Sequence, residues 1–290
     1  MKTATLKDLP LLRRYMTAEP RRLCTYTPAL LVMWRDYFRL ALCEDSGTLT
    51  VRLAYDGKQD AYLYPLGRDP EAAVTALQKV AESQGEPLLF AGLDEADRDR
   101  LLSRFPTAEV TADRGEADYL YRTAELAAFP GRRFGGQRNH VNKFGRLYPD
   151  HTVAPITPGD VPELFAFLDA FAARHAERPL LAEELAMTRE VLSHYAAYGM
   201  EGLLLRAEGR IAAFAAGEVI GDMLAVHIEK ADVGFPGAYQ RIVSAFAKHA
   251  EAAAIPYVNR EDDMGDEGLR TSKLSYHPIA ILDKWRVRIG

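Results

Sequence analysis

The spacing of apolar positions changes period several times along the chain, and each change marks an element. Residues 6–16 and 28–34 carry helical spacing, and 37–43, 48–54 and 61–66 are alternating or apolar runs. The turn residues Asp45-Ser46-Gly47 and Asp56-Gly57 separate those runs, so a meander of strands is expected. The period then turns helical. Asp69-Pro70-Glu71 offers an N-cap, a first-turn proline and an acid suited to the helix dipole; Val74, Leu77 and Val80 space one face before Gly85. A strand at 88–91, a helix near 95–104 and a strand at 119–122 close the first half.

The second half follows the same order. An amphipathic basic segment at 132–148 leads to a strand near 152–154 and helices at 161–173 and 183–198, the first opened by Pro158-Gly159-Asp160. Strands at 202–207, 211–219 and 223–229 are broken by Glu208-Gly209-Arg210 and Gly221-Asp222. A helix over 237–254 presents Tyr239, Ile242, Val243, Phe246 and Ala250 on one face. A strand at 257–258, a helix over 269–274 and a terminal strand at 279–288 finish the chain. The repeated order predicts a duplicated α+β architecture, with one unit over 1–127 and the other over 128–290.

Composition narrows the class. At 290 residues with 48% apolar and 27% charged residues, the chain can bury about two cores. A net charge of −5 excludes a surface coated in nucleic-acid-binding cations but allows a local basic patch. Cys24 and Cys43 have no metal spacing and read as buried thiols of a reducing cytoplasm. The N-terminal residues 1–8 hold no apolar signal core, and the apolar run at 29–34 is far short of the about 20 residues that span a bilayer, so no transmembrane segment is expected. His151, His175, His194 and His249 form no metal-ligand spacing and no triad with a serine.

Two blocks concentrate chemistry. In the first, Asn139, Asn142, Lys143 and Arg146 share a helical stripe, while Val141, Phe144 and Tyr148 line another face. With Arg132, Arg133 and Arg138 close by, and Gly135-Gly136 permitting close backbone approach, the stripe suits a phosphate-bearing ligand. It would equally serve as a solvated helix pairing with acids elsewhere. The second block runs from Asn259-Arg260-Glu261 through an acidic, glycine-containing turn to Leu269-Arg270-Thr271-Ser272-Lys273-Leu274-Ser275-Tyr276-His277-Pro278. Its acids precede the helix, as the dipole favours. Arg270, Lys273 and His277 share one helical face at i, i+3 and i+7, where the two cations could stabilise an oxyanion. The acidic spacing is not that of a calcium loop.

These blocks resemble motifs of the C-terminal domain of bacterial phosphatidylglycerol lysyltransferases: an Arg-Asn-His-x-Asn-Lys-Phe helix, here Arg138 to Phe144, and the Asn-Arg-Glu to Leu-Ser-Tyr-x-Pro run. The resemblance implies two tandem GNAT-like acyltransferase units, related to the Fem aminoacyltransferases. It implies anion or substrate contacts at Arg132, Arg133, Arg138, Asn139, His140, Asn142, Lys143, Lys230, Asn259, Arg260, Glu261, Tyr276 and His277. The central strand of a GNAT unit carries a base or substrate contacts, which points to His227 and Glu229, on one face by period two, alongside Arg270 and Lys273. Asp232-Val233-Gly234-Phe235-Pro236-Gly237-Ala238 stands where GNAT enzymes bind coenzyme A pyrophosphate, so Gly234, Gly237 and Ala238 are candidate cofactor contacts. The glycine spacing differs, and an acid, Asp232, replaces the leading basic residue.

The expectation is therefore a soluble acyltransferase that takes an aminoacyl group from aminoacyl-tRNA to an amine or hydroxyl. No metal is expected. A coenzyme A-dependent N-acetyltransferase using acetyl-CoA and a non-catalytic anion-binding module are the rivals. Partners would be tRNA or another phosphate-bearing ligand, with peripheral contact to anionic lipid; the multi-span membrane region of the lysyltransferases has no counterpart here.

Overall fold

The computed structural model describes residues 1–55, 59–175 and 180–290. The chain divides into two units, and each draws on more than one segment. One comprises Met1–Tyr119, Glu261–Arg270 and Ile281–Gly290; the other comprises Leu120–Arg260 and Thr271–Ala280.

The first unit is built on a sheet whose strands run Lys2–Thr3, Ala41–Asp45, Thr48–Tyr55, Gln59–Tyr62, Leu88–Leu93, Trp285–Ile289 and Glu109–Ala112, with Leu66–Gly67 paired to Thr48–Tyr55. Tyr64, Val74, Leu88, Phe90, Leu93, Leu101, Val287 and Ile289 form a core cluster. The helix Pro70–Gln84 has the expected ends: Asp69 accepts from the Ala72 amide at 2.9 Å, and Gly85 terminates it at φ 67°. The expected strand at 37–43 is displaced to Ala41–Asp45. Trp34, Tyr37 and Phe38 pack on one another with ring centroids 5.1–6.2 Å apart, and Arg39 adopts φ 45°, so this apolar stretch folds as turns. The expected Asp56-Gly57 turn lies outside the described residues.

The second unit carries a sheet ordered Ala280–Leu282, Asp118–Arg122, Tyr257–Asn259, Met223–Ala231, Arg210–Ile220, Glu201–Ala207 and Thr152–Pro155. The strands expected at 202–207, 211–219 and 223–229 form as Glu201–Ala207, Arg210–Ile220 and Met223–Ala231, and the middle one is buried on both faces: every residue of Arg210–Ile220 except Arg210 and Val219 is buried. The turns at Glu208-Gly209 and Gly221 take left-handed backbone, φ 52°, 72° and 58°, as their composition predicts. The helix expected over 183–198 breaks at His194 into Leu181–Ser193 and Tyr195–Tyr198.

The terminal strand expected over 279–288 is two strands. Ala280–Leu282 belongs to one sheet and Trp285–Ile289 to the other. Between them the buried Lys284 ammonium is held 2.7 Å from Asp118 and 2.8 Å from Asp262. Burial opposes its charge, but Asp118, Cys24 and Asp262 together outweigh that, so its pKa stands well above the usual lysine value. No helix of the described residues is long and apolar enough to cross a membrane.

Candidate functional site

A bulge in the second unit's sheet organises the site. Arg210–Ile220 pairs with Met223–Ala231, but the register shifts at Ala216/Gly217, with Gly217 opposite Val226 and Ala216 opposite Ile228. His227 is the extra residue. A Cβ on Gly217 would lie 2.0 Å from the Ala225 carbonyl oxygen, so only glycine admits this approach. Along its other edge, Met223–Ala231 pairs in parallel with Tyr257–Asn259 from Met223/Tyr257 to Ala225/Asn259. The ladder stops there, at the end of Tyr257–Asn259, so the two strands part after Ala225 and the longer one runs on through Glu229 to Ala231.

Arg260, the residue after Asn259, is set at this parting. Its Nη2 donates to Glu229 Oε1 at 2.5 Å, and only 9% of the arginine side chain and 14% of the glutamate side chain are exposed. The guanidinium lies 4.5 Å from the Tyr276 ring centroid and 5.7 Å from that of Tyr121. Burial opposes its charge, but Glu229, Tyr121 and Tyr276 together more than offset this, holding the Arg260 pKa above its ordinary value. Burial pushes the Tyr276 phenol up to about 12, against the pull of Arg260. Nη1 of Arg260 is enclosed and has no protein hydrogen-bond partner. Tyr121 and Gly217 did not stand out in the sequence. Their signals were an aromatic alternating with apolar residues and a lone glycine in an alanine-rich strand.

Lys273 holds this arrangement from behind. Its buried ammonium donates to the Arg260 carbonyl at 2.5 Å, and its own carbonyl accepts from the Tyr121 hydroxyl at 2.9 Å. Arg270, on the same helix Glu267–Leu274, belongs to the first unit. There its Nε and Nη2 donate to the two oxygens of Asp263 at 2.9 and 3.0 Å. Arg114 and the Tyr119 hydroxyl also bond Asp263. Burial alone would raise the Asp263 pKa; Arg270, Tyr119 and the Gly265 amide reverse this and bring it to about 2. His277 falls beyond the helix at φ 53° and approaches the Arg133 carbonyl at 3.0 Å, so the expected shared face with Arg270 and Lys273 is absent. Glu261 turns at φ 57° and its carbonyl accepts from the Tyr119 amide at 3.1 Å, while Asn259 is buried.

His227 and Glu229 have different surroundings. The His227 side chain is enclosed, with Nε2 3.2 Å from Glu218 Oε1. Glu229 makes one ion pair, through Oε1, and its Oε2 has no partner among the described residues. Lys230 is buried against Glu184, with its ammonium 5.0 Å from the Phe171 ring centroid.

The loop expected to cradle pyrophosphate is filled by its own side chains and backbone. Asp232 Oδ1 accepts from the Gly234 amide at 2.8 Å and from Arg174. Gly237 caps the helix Ala238–Ala252 at φ 93°, and a Cβ there would meet the His140 carbonyl oxygen at 2.4 Å. Ala238 is buried.

The basic segment forms the helix Gly135–Leu147, anchored by buried Phe134 and Phe144. Arg138 is turned inward: Nη1 donates to the carbonyls of Phe129 and, at 2.8 Å, Gly131. Arg133 pairs with Glu125 at 2.5 Å. Arg132, Asn139, His140, Asn142, Lys143 and Arg146 are exposed. Among the described residues, no group of histidine, cysteine, aspartate and glutamate could hold a metal ion.

Comparison with known proteins places this architecture. The family model for the C-terminal domain of phosphatidylglycerol lysyltransferase matches residues 18–288. A conserved protein of unknown function from Bacteroides thetaiotaomicron is 31% identical, with a TM-score of 0.93 over 100% of this chain and 99% of that one. L-PGS from Bacillus licheniformis is 14% identical with a TM-score of 0.69, covering 97% of this chain and 90% of that chain. FemX is 10% identical with a TM-score of 0.63, covering 98% and 96%. The fold is thus α+β with two GNAT-like units, as expected. An uncharacterized protein of Mycoplasmoides gallisepticum is 25% identical over 174 residues, 59% of this chain; the match spans 56% of that curated relative's length.

Proposed function

The chain belongs to the phosphatidylglycerol lysyltransferase C-terminal family, a family of acyltransferases, and from that premise we propose that it moves an aminoacyl group from aminoacyl-tRNA to an amine or hydroxyl acceptor. The parting of Met223–Ala231 from Tyr257–Asn259 after Ala225, with Arg260 then reaching Glu229, is the observation that supports a reaction at this place. An acceptor amine or hydroxyl must lose a proton as it attacks an ester, and Glu229 Oε2 is available to take it. Oε1 stays fixed on Arg260, which holds the carboxyl group in one orientation.

The same geometry weighs against a coenzyme A donor. The Asp232 carboxylate occupies the Gly234 amide and would repel a pyrophosphate, and Gly237 is packed on the His140 carbonyl. Charged tRNA needs no such cradle. Its phosphates would meet Arg132, Lys143 and Arg146 with Asn139, His140 and Asn142 on the exposed face of Gly135–Leu147. This donor also puts the reaction in the cytoplasm. The lysyltransferase name carries a lipid acceptor, and anionic lipid is accordingly one acceptor to offer.

The test supplies radiolabelled aminoacyl-tRNA, or acetyl-CoA, with phosphatidylglycerol vesicles, a mixture of small amines, or hydroxylamine as a general acceptor. Transfer from charged tRNA alone supports the proposal. Transfer only from acetyl-CoA makes this an N-acetyltransferase, and tight tRNA binding without transfer to any acceptor makes it a non-catalytic module.

A further inference from the structure

We infer that Arg260 is a catalytic residue whose free Nη1 receives the carbonyl oxygen of the scissile ester. This deepens the acyltransferase proposal and rests on it. Buried hydrogen-bond donors are nearly always partnered, and a charged one left without a partner costs more than a neutral one. Arg260 departs from that rule at one atom. Nη2 is bound by Glu229 at 2.5 Å, whereas Nη1 is enclosed without a protein partner, in a side chain only 9% exposed. A buried guanidinium whose sole role was to neutralise Glu229 could face it with both nitrogens, as Arg270 faces Asp263 with Nε and Nη2.

The surroundings keep the free arm fixed. The Tyr276 and Tyr121 rings flank the guanidinium, and the Arg260 carbonyl is tied by the Lys273 ammonium, whose backbone carbonyl in turn holds the Tyr121 hydroxyl. A donor so placed loses little by reorganisation when charge develops beside it, which is the requirement for oxyanion stabilisation. The reaction then balances as follows. The acceptor nitrogen or oxygen forms a bond to the ester carbonyl carbon and gives its proton to Glu229, while the carbonyl π pair moves onto oxygen beside Nη1. Collapse of the tetrahedral intermediate re-forms the carbonyl and breaks the bond to the ribose oxygen, which leaves with the proton from Glu229. No oxidant, reductant or further reactant enters. The cationic role assigned to Arg270 and Lys273 from sequence passes to Arg260, because Arg270 is held by Asp263 and Lys273 by a backbone carbonyl.

The experiment compares wild type with Arg260→Lys and Arg260→Gln. It measures transfer kinetics, melting temperature and affinity for two unreactive analogues of 3′-aminoacyl-adenosine: an amide, and a phosphonate bearing a negative oxygen at the carbonyl position. The expected result is a fall in kcat of about 10²–10³-fold with donor KM little changed. Phosphonate affinity falls by a similar factor, and amide affinity and melting temperature hold. Glutamine can still donate to Glu229, so it serves as the second variant should lysine fail to fold. Equal phosphonate affinity in wild type and a folded variant overturns the inference even if kcat drops, leaving Arg260 a structural partner of Glu229. Wild type that transfers normally alongside an equally active variant removes Arg260 but keeps the aminoacyltransferase reading. Wild type that neither transfers nor binds the phosphonate removes both.

Discussion

Asp232 closes the Gly234 amide at 2.8 Å, and that one contact separates this second unit from an anion-binding loop of the kind the glycines first implied. The carboxylate sits where a phosphate oxygen would have to sit, and Arg174 is already engaged with it. Acetyl-CoA is therefore expected to leave the melting temperature unchanged. A ligand at 100 times its Kd would add about 2.7 kcal/mol to the native state, a shift readily seen by thermal denaturation. A saturable rise with acetyl-CoA would contradict this account of the loop.

Arg138 and Lys143 lie on the same helix and should respond in opposite ways to alanine substitution. Arg138→Ala strands the carbonyls of Phe129 and Gly131 and should cost stability, on the order of 1–3 kcal/mol by denaturant titration. Lys143→Ala should change stability by less than about 0.5 kcal/mol. The lysine variant should instead weaken tRNA binding and lower the salt dependence by about one phosphate contact in filter binding. Identical stability losses in the two variants would place Lys143 in the structure of the helix.

Gly217→Ala tests the bulge. With 2.0 Å available between a Cβ and the Ala225 carbonyl oxygen, the strands must shift, and a loss of roughly 1–3 kcal/mol is expected together with impaired transfer. A variant as stable and active as wild type would show that the strand pair tolerates another register.

Asp97 supplies a pH-dependent signal in the first unit. It is fully buried, its oxygens 2.8 Å from Arg21 and 3.4 Å from Arg100, and burial raises its pKa to about 6 against the pull of Arg21. A carboxyl with a raised folded-state pKa favours folding below its unfolded value of about 4, and this contribution is lost as pH rises through about 6. Between pH 4 and 6, the stability of wild type relative to Asp97→Asn should fall with pH, by at most about 1.4 kcal/mol per unit. A parallel pair of stability curves would mean that Arg21 and Arg100 keep Asp97 ionised throughout.

The sequence revealed most where local chemistry decides structure. Asp69, Pro70 and Gly85 announce the ends of their helix, and the turns at Glu208-Gly209 and Gly221 follow from backbone that glycine tolerates. It revealed less where long-range contacts decide. Glu109–Ala112 is largely exposed and polar, so nothing in its pattern marks it as a strand until Trp285–Ile289 arrives to pair with it. Period two placed His227 with Glu229, but the bulge at His227 interrupts that count, and His227 is enclosed with Glu218. Arg260 and Glu229 were each candidates from their motifs. Their mutual contact depends on chain segments far apart in sequence, and local pattern says nothing of it.

The most direct test of acyl transfer at the strand parting is the turnover of Glu229→Gln. Glutamine keeps the shape and a hydrogen bond to Arg260 but cannot accept the acceptor's proton. Transfer from charged tRNA should fall about 10²–10⁴-fold, with donor affinity and melting temperature close to wild type, whereas His227→Gln should keep most of its turnover. Full activity in a folded Glu229→Gln protein would contradict the account and move the chemistry away from this site.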